Sequence, residues 1–261
     1  MKELVREDKN TERQDIIKYL KEFSEEKTYV NAMWLEGADG VGRVDEYSDI
    51  DFWFDVGAGF QESFLYECIA AAEKLGEIDS RYDMIRKEIA QSNIHLKNAP
   101  EYLTLDICVQ SHEIRGKEAT CYVKDDIAER PLVIFDKEGI ISFCYYKEDK
   151  EKIRRIFEEN ENRIMQAGRV TKYIKRGLYP EAYMKYMENI AEPLVTIARL
   201  IYTPRLYDYG LCHISEHLPA DTVGELENLF KVADLRDIEE KLKKAFSLLE
   251  KYGKELGYHG V

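Results

Sequence analysis

Asp49 and Asp51 stand two residues apart in a stretch where Ile50, Phe52, Phe54 and Val56 alternate with Asp49, Asp51, Trp53 and Asp55. Alternation with period two marks a strand with one apolar face, and it sends side chains i and i+2 the same way, their Cα atoms roughly 6.5 to 7 Å apart. Two carboxylates so placed can share one hard cation. Mg²⁺ takes one or two protein carboxylates and completes its shell with waters and substrate phosphates. A third carboxylate, Asp106, lies on the polar side of a second alternating stretch, in which Leu103, Leu105, Ile107 and Val109 face away from Tyr102, Thr104, Asp106 and Cys108. If the two strands pair, the three carboxylates share one face. They could then serve a two-ion, phosphoryl-type transfer, which needs positioning and charge neutralisation more than covalent help.

An isolated Asp-x-Asp is most often a solvated strand face. Here an apolar run, Val30 to Leu35, and a glycine-bearing segment, Glu36 to Gly42, come first. Glycines let backbone N–H groups approach phosphate oxygens. Arg43 could reach a phosphate from the same turn and is as readily a solvated turn arginine.

Gly37-Ala38, the eleven-residue step to Asp49-Ile50-Asp51, and the later strand aspartate resemble the signature of the DNA-polymerase-β-like nucleotidyltransferase superfamily, in which Gly-Ser, a spacer, Asp-x-Asp and a distant Asp follow in that order. The stretch WLEGADGVGRVDEYSDIDFWFDV is similar to that of bacterial aminoglycoside nucleotidyltransferases. The resemblance implies a nucleotide-binding set of Gly37, Ala38, Asp39, Arg43 and Ser48, and magnesium, two ions in all, on Asp49, Asp51 and Asp106. Asp106 would either complete the metal site or activate the acceptor hydroxyl. The implied reaction moves AMP from ATP to a hydroxyl of a small molecule, an aminoglycoside-type antibiotic; a lincosamide, another metabolite or a protein is the alternative acceptor. Ala38 departs from the usual serine, which removes a hydrogen bond to phosphate worth about 1.5 to 3 kcal/mol. That departure supports the other alternative, a catalytically inert nucleotide-binding module of regulatory or antitoxin type.

The elements that must position these residues are legible as periods. Thr11 and Gln14 form a capping box ahead of Ile16, Ile17, Leu20 and Phe23, at helical spacing. Phe64, Cys68, Ile69, Ala72 and Leu75 form a second helix, with Gly76 as its C-cap. Beyond residue 145 only helical spacing remains, first in Ile153, Ile156, Phe157 and Ile164, then from Tyr183 to Ile201, where Pro193 should kink the helix or start a new one. Asp237 and Glu240 form a capping box for a last helix through Leu242, Ala245, Leu249 and Leu256. The expected architecture is an α/β (α+β) nucleotidyltransferase domain with a mixed sheet over residues 1–147, then an all-helical bundle over residues 148–261 that binds the acceptor. The tyrosines from Tyr173 to Tyr209 are core residues that could also wall a ring.

Composition narrows the partners. Fifty-one acidic against 38 basic residues leave a net charge of −13. That field repels nucleic acid and anionic membranes and suits a cationic acceptor. The expected partners are a nucleoside triphosphate and a small molecule, with no nucleic acid and no membrane; the oligomeric state is left open. Five scattered cysteines, expected in apolar surroundings, give no disulfide framework. No apolar run approaches the ~18 residues of a membrane span, and the charged N-terminus is no signal peptide, so a cytoplasmic location is expected. His95, His112 and the trio Cys212, His213 and His217 are read as structural.

Overall fold

The computed structural model describes residues 12–258, and the chain divides into two compact units between Tyr146 and Lys147. In the first unit α1 (Arg13–Glu25) follows Glu12, whose side chain makes no cap. Thr11, the proposed capping residue, lies outside the described residues. Then come β1 (Val30–Leu35), α2 (Gly37–Val41), β2 (Ile50–Val56), α3 (Gln61–Ala72), β3 (Ile78–Ile85), β4 (Ile89–Leu96), β5 (Thr104–Gln110), α4 (His112–Arg115), β6 (Cys121–Val123), β7 (Leu132–Asp136) and β8 (Ser142–Cys144).

The main sheet has the order β3-β4-β5-β2-β1-β7, and β6 pairs with β8 apart from it. β2 and β5 run parallel, while the other neighbours in the main sheet are antiparallel, so the sheet is mixed as expected. Ile50, Phe52, Phe54, Leu105, Ile107 and Val109 are buried in one core with Ile16 and Leu20 of α1 and Phe64, Cys68 and Ile69 of α3. The period-two pattern therefore directs these apolar side chains to one face and leaves the other for Asp51, Trp53 and Asp106, each only partly buried.

Two local expectations need correction. The glycine segment after β1 is not an open turn: it winds into the one-turn helix α2, closed by Gly42 at φ +72°, whose N–H reaches the carbonyls of Ala38 and Asp39. Left-handed backbone of this kind is where glycine is least strained. Gly76 is not the cap of α3, because the helix ends at Ala72 with Glu73 as its right-handed C-cap.

The second unit contains α5 (Lys150–Ile164), α6 (Gly168–Lys175), α7 (Tyr179–Tyr186), α8 (Glu192–Tyr202), α9 (Ile214–His217), α10 (Ala220–Phe230) and α11 (Leu235–Glu255). Its core gathers Phe157, Tyr186, Ile190, Leu194, Ile197, Ile238 and Tyr252. Pro193 sits in the first turn of α8, immediately after a π-helical turn over Met187–Ala191. A residue without an N–H is tolerated at a helix start, so the proline begins a new helix. The last capping box lies three residues earlier than the sequence suggests: Asp234 caps α11 through the Asp237 N–H at 2.8 Å, and the Asp237 carboxylate accepts from the Ala233 N–H at 2.9 Å.

Among the described residues no strand follows Cys144, and no helix is long and apolar enough to cross a membrane. Among the described residues no disulfide is formed; Cys121, Cys144 and Cys212 are exposed, against the expectation of mostly apolar surroundings.

Candidate active site

The parallel register of β2 and β5 places Asp51 directly opposite Asp106. Neighbouring strands lie about 4.8 Å apart, and paired residues point to the same face. The two carboxylates thus leave the sheet side by side, which sequence alone gave only as a condition. Asp49 lies just before β2, partly buried.

Gly37 explains how Asp51 fits. Gly37 has φ +53°, and a Cβ built on it would come within 1.9 Å of Asp51 Oδ2. The carboxylate occupies the space that any other residue would fill. Glu36, the residue before, donates its N–H to the Asp51 carbonyl at 3.0 Å, tying the start of α2 to the start of β2.

These carboxylates are crowded and poor in partners. Among the described residues, neither Asp49 nor Asp51 has a side-chain hydrogen bond or an ion pair. Burial raises the Asp51 pKa to about 7, with the charges of Asp49, Asp106, Glu36 and Asp39 adding to the rise. Burial also raises Asp106, opposed by Gln91, whose amide nitrogen donates to both Asp106 oxygens at 2.8 Å each. Glu36 is pushed up mainly by burial, against hydrogen bonds from Tyr122 and from Trp34 Nε1, the latter at 2.9 Å. Asp39 is raised by burial, opposed by the guanidinium of Arg13.

A cavity of about 160 Å³ opens on this face, lined by Asp51, Trp53, Met84, Arg86, Gln91, Asp106 and Cys108 among others. Trp53 stacks on the buried Trp34, with ring centroids 5.9 Å apart, and the Arg115 guanidinium lies 5.7 Å from the Trp53 ring centroid. Two larger cavities, about 530 and 550 Å³, belong to the helical unit and contain none of the clustered carboxylates.

Magnesium suits the donor set. Hard carboxylate oxygens crowd together without a cation at Asp49 and Asp51, and a divalent ion would relieve that repulsion. Among the described residues no group of three acidic, histidine or cysteine side chains is already arranged to hold a metal. An open edge of two carboxylates is what magnesium uses when substrate phosphates supply the remaining oxygens.

The other expected nucleotide-binding residues make hydrogen bonds within the first unit. Asp39 is bound by Arg13, and its side chain is 7% exposed. Ser48 Oγ donates to Asp45 Oδ1 at 2.8 Å and accepts from the Asp45 N–H at 2.9 Å, which closes the turn before Asp49. Arg43 points elsewhere, donating to the Ile127 carbonyl at 2.7 Å. The Ala38 carbonyl accepts from the Arg43 N–H at 2.8 Å.

His112 holds Asp55 through Nδ1 at 2.7 Å, and His95 bonds to Asp79 and to the Pro100 carbonyl. Sequence reasoning missed Gln91, Glu36 and Arg13. Gln91 sits on a strand without a clean alternation. Arg13 lies on the polar side of a helix where arginines are ordinarily solvated.

No protein-family model and no curated protein matches the chain. Among solved structures, an aminoglycoside 6-adenyltransferase from Bacillus subtilis aligns over 98% of this chain and 94% of its own, at 14% identity and a TM-score of 0.40. A spectinomycin adenyltransferase from Enterococcus faecialis, solved with ATP and spectinomycin, aligns over 94% of this chain and 100% of its own, at 12% identity and a TM-score of 0.32.

Proposed function

We propose that this protein is a magnesium-dependent nucleotidyltransferase that moves AMP from ATP to a hydroxyl of a small cationic acceptor, of which an aminoglycoside is the type. The observation that carries the reading is the in-register pair Asp51 and Asp106, with Asp51 seated against Gly37. A carboxylate buried among like charges, in a space that only glycine leaves open, is costly for a merely solvated strand face.

Asp49 and Asp51 would hold the magnesium, which when bound neutralises charge on the triphosphate. Asp106 then has a separate task. The acceptor oxygen attacks the α-phosphorus, the bond from that phosphorus to the pyrophosphate oxygen breaks, and the hydroxyl proton passes to the Asp106 carboxylate. The Gln91 amide uses one lone pair on each Asp106 oxygen and leaves others to take the proton. Gly37 and Ala38 would lie along the phosphates, with backbone N–H groups in place of the missing serine hydroxyl. The acidic face, from Glu36 to Asp106, would favour an acceptor carrying ammonium groups.

The test is direct. The protein is incubated with Mg²⁺, each nucleoside triphosphate in turn, and a panel of aminoglycosides, lincosamides and other hydroxylated metabolites, while pyrophosphate release is followed. Acceptor-dependent release with ATP is the expected result. Tight nucleotide binding without release for any acceptor would move the assignment to the inert regulatory module that Ala38 favours.

A further inference from the structure

Arg13 lies on α1, outside the strand-turn-strand segment, yet it joins the two parts of the site. Its Nη1 donates to the Ser48 carbonyl at 2.9 Å, and its Nη2 donates to the Asp39 carboxylate. Ser48 immediately precedes Asp49, and Asp39 lies in the one-turn helix whose first residue, Gly37, packs against Asp51. One guanidinium therefore spans from the segment that carries Asp49 to the helix that seats Asp51. The side chain is 14% exposed, and its Nε is buried without a hydrogen-bond partner among the described residues.

Asp49 needs such a restraint. It stands before the first residue of β2, and the segment from Gly42 to Tyr47 leading to it is exposed. Like charges on Asp49, Asp51 and Asp106 push its carboxylate outward when no cation is bound. A planar guanidinium holds two acceptors at a set angle and spacing, which an ammonium on a flexible stem does not. We propose that Arg13 is a positioning residue: by locking the Ser48 carbonyl to Asp39 it holds Asp49 beside Asp51 in the arrangement that binds the divalent ion. This rests on the nucleotidyltransferase reading, and Arg13 lies outside the Glu36–Val56 and Asp106 positions on which that reading stands.

The experiment measures Mn²⁺ affinity by electron paramagnetic resonance, with a non-hydrolysable ATP analogue present, for the full chain and its Arg13→Lys and Arg13→Met variants. Thermal melts set the working temperature below unfolding for each variant. Wild-type protein should bind Mn²⁺. Arg13→Met should weaken that binding at least tenfold and lower kcat with a much smaller change in the KM for ATP. Arg13→Lys should fail to restore it, because the fork rather than the charge does the holding; if Arg13→Met does not fold, this variant decides alone. Wild-type affinity in Arg13→Met, or full rescue by lysine, overturns the proposal while leaving the enzyme assignment intact. Absence of Mn²⁺ binding by the wild type overturns the enzyme assignment itself.

Discussion

Asp51→Asn should make the metal-free protein more stable at neutral pH while abolishing turnover. In the folded chain Asp51 is raised from 3.8 to about 7, by burial first and then by Asp49, Asp106, Glu36 and Asp39. A carboxyl with a raised folded pKa binds its proton more tightly folded than unfolded. Its contribution is fully present below the unfolded value near 4 and is lost as pH rises through the folded value near 7. Roughly three pH units at 1.36 kcal/mol each set a ceiling of about 4 kcal/mol, and solvent screening at this partly exposed group brings it to about 1 to 2 kcal/mol.

Asparagine keeps the shape and cannot ionise, so it escapes the loss. The variant should match the wild type near pH 4.5 and exceed it by about 1 to 2 kcal/mol at pH 8, a rise in Tm of roughly 2 to 8 °C for a unit of this size. Both tryptophans of the chain, Trp34 and Trp53, lie in the first unit, so their fluorescence reports its unfolding alone. Melts in EDTA across pH 4.5 to 8 give the comparison, and added Mg²⁺ with nucleotide should reverse the order by stabilising only the wild type. A destabilised variant at pH 8, or a difference that does not change with pH, would refute the electrostatic account of the site.

Gly37→Ala places a methyl 1.9 Å from Asp51 Oδ2 at a backbone of φ +53°. The clashing atom is the end of a side chain, so folding should lose only about 1 kcal/mol, while displacement of the carboxylate should cost a hundredfold or so in turnover; parallel melts and rate measurements check both, and retained activity counts against Asp51. Gln91→Leu removes the two Gln91 hydrogen bonds, the largest opposition to the burial-driven rise of Asp106. The acid limb of the pH profile of kcat/KM should move to higher pH, so activity falls more at pH 6 than at pH 8; an unmoved limb excludes Asp106 as the base. Asp55→Ala strips one buried carboxylate from Asn31, Gln110 and both the N–H and the Nδ1 of His112. Stability should fall by about 2 to 4 kcal/mol in urea titrations, and an unchanged midpoint would show that the network is not structural.

The central strands were legible because their apolar residues alternate without interruption: Ile50, Phe52 and Phe54 in β2, and Leu105, Ile107 and Val109 in β5, all buried. β3 and β4 escaped because the signal is diluted. β3 is largely exposed and carries Asp79, Arg81 and Asp83, as edge strands do, and the buried side of β4 includes Ser92. That omission hid Gln91 and with it the support for Asp106. Asp49, Asp51 and Asp106 could be picked out as candidates from spacing, whereas the side-by-side placement of Asp51 and Asp106 depends on a strand register that no local period encodes. The hydrogen bond from Arg43 to the Ile127 carbonyl was hidden for a similar reason, since it joins segments 84 residues apart.

Asp51 and Asp55 show how a carboxylate proposed for function differs from a structural one on the same strand. They lie four residues apart in β2, and in the sequence both are polar interruptions of an apolar alternation. Asp55 is wholly buried, yet it accepts from Asn31, Gln110 and His112, so its charge is accounted for within the fold. Asp51 is surrounded by carboxylates and, among the described residues, has no donor to its side chain. Folding alone gives no reason to gather uncompensated like charges against a glycine in a left-handed conformation, since each adds to the unfavourable balance. Places where a chain departs from locally favourable choices are where function is to be sought. A cation brought by the substrate would complete at Asp51 what hydrogen-bond donors already complete at Asp55, which is why nucleotide, magnesium and stability of the first unit should prove to be linked quantities.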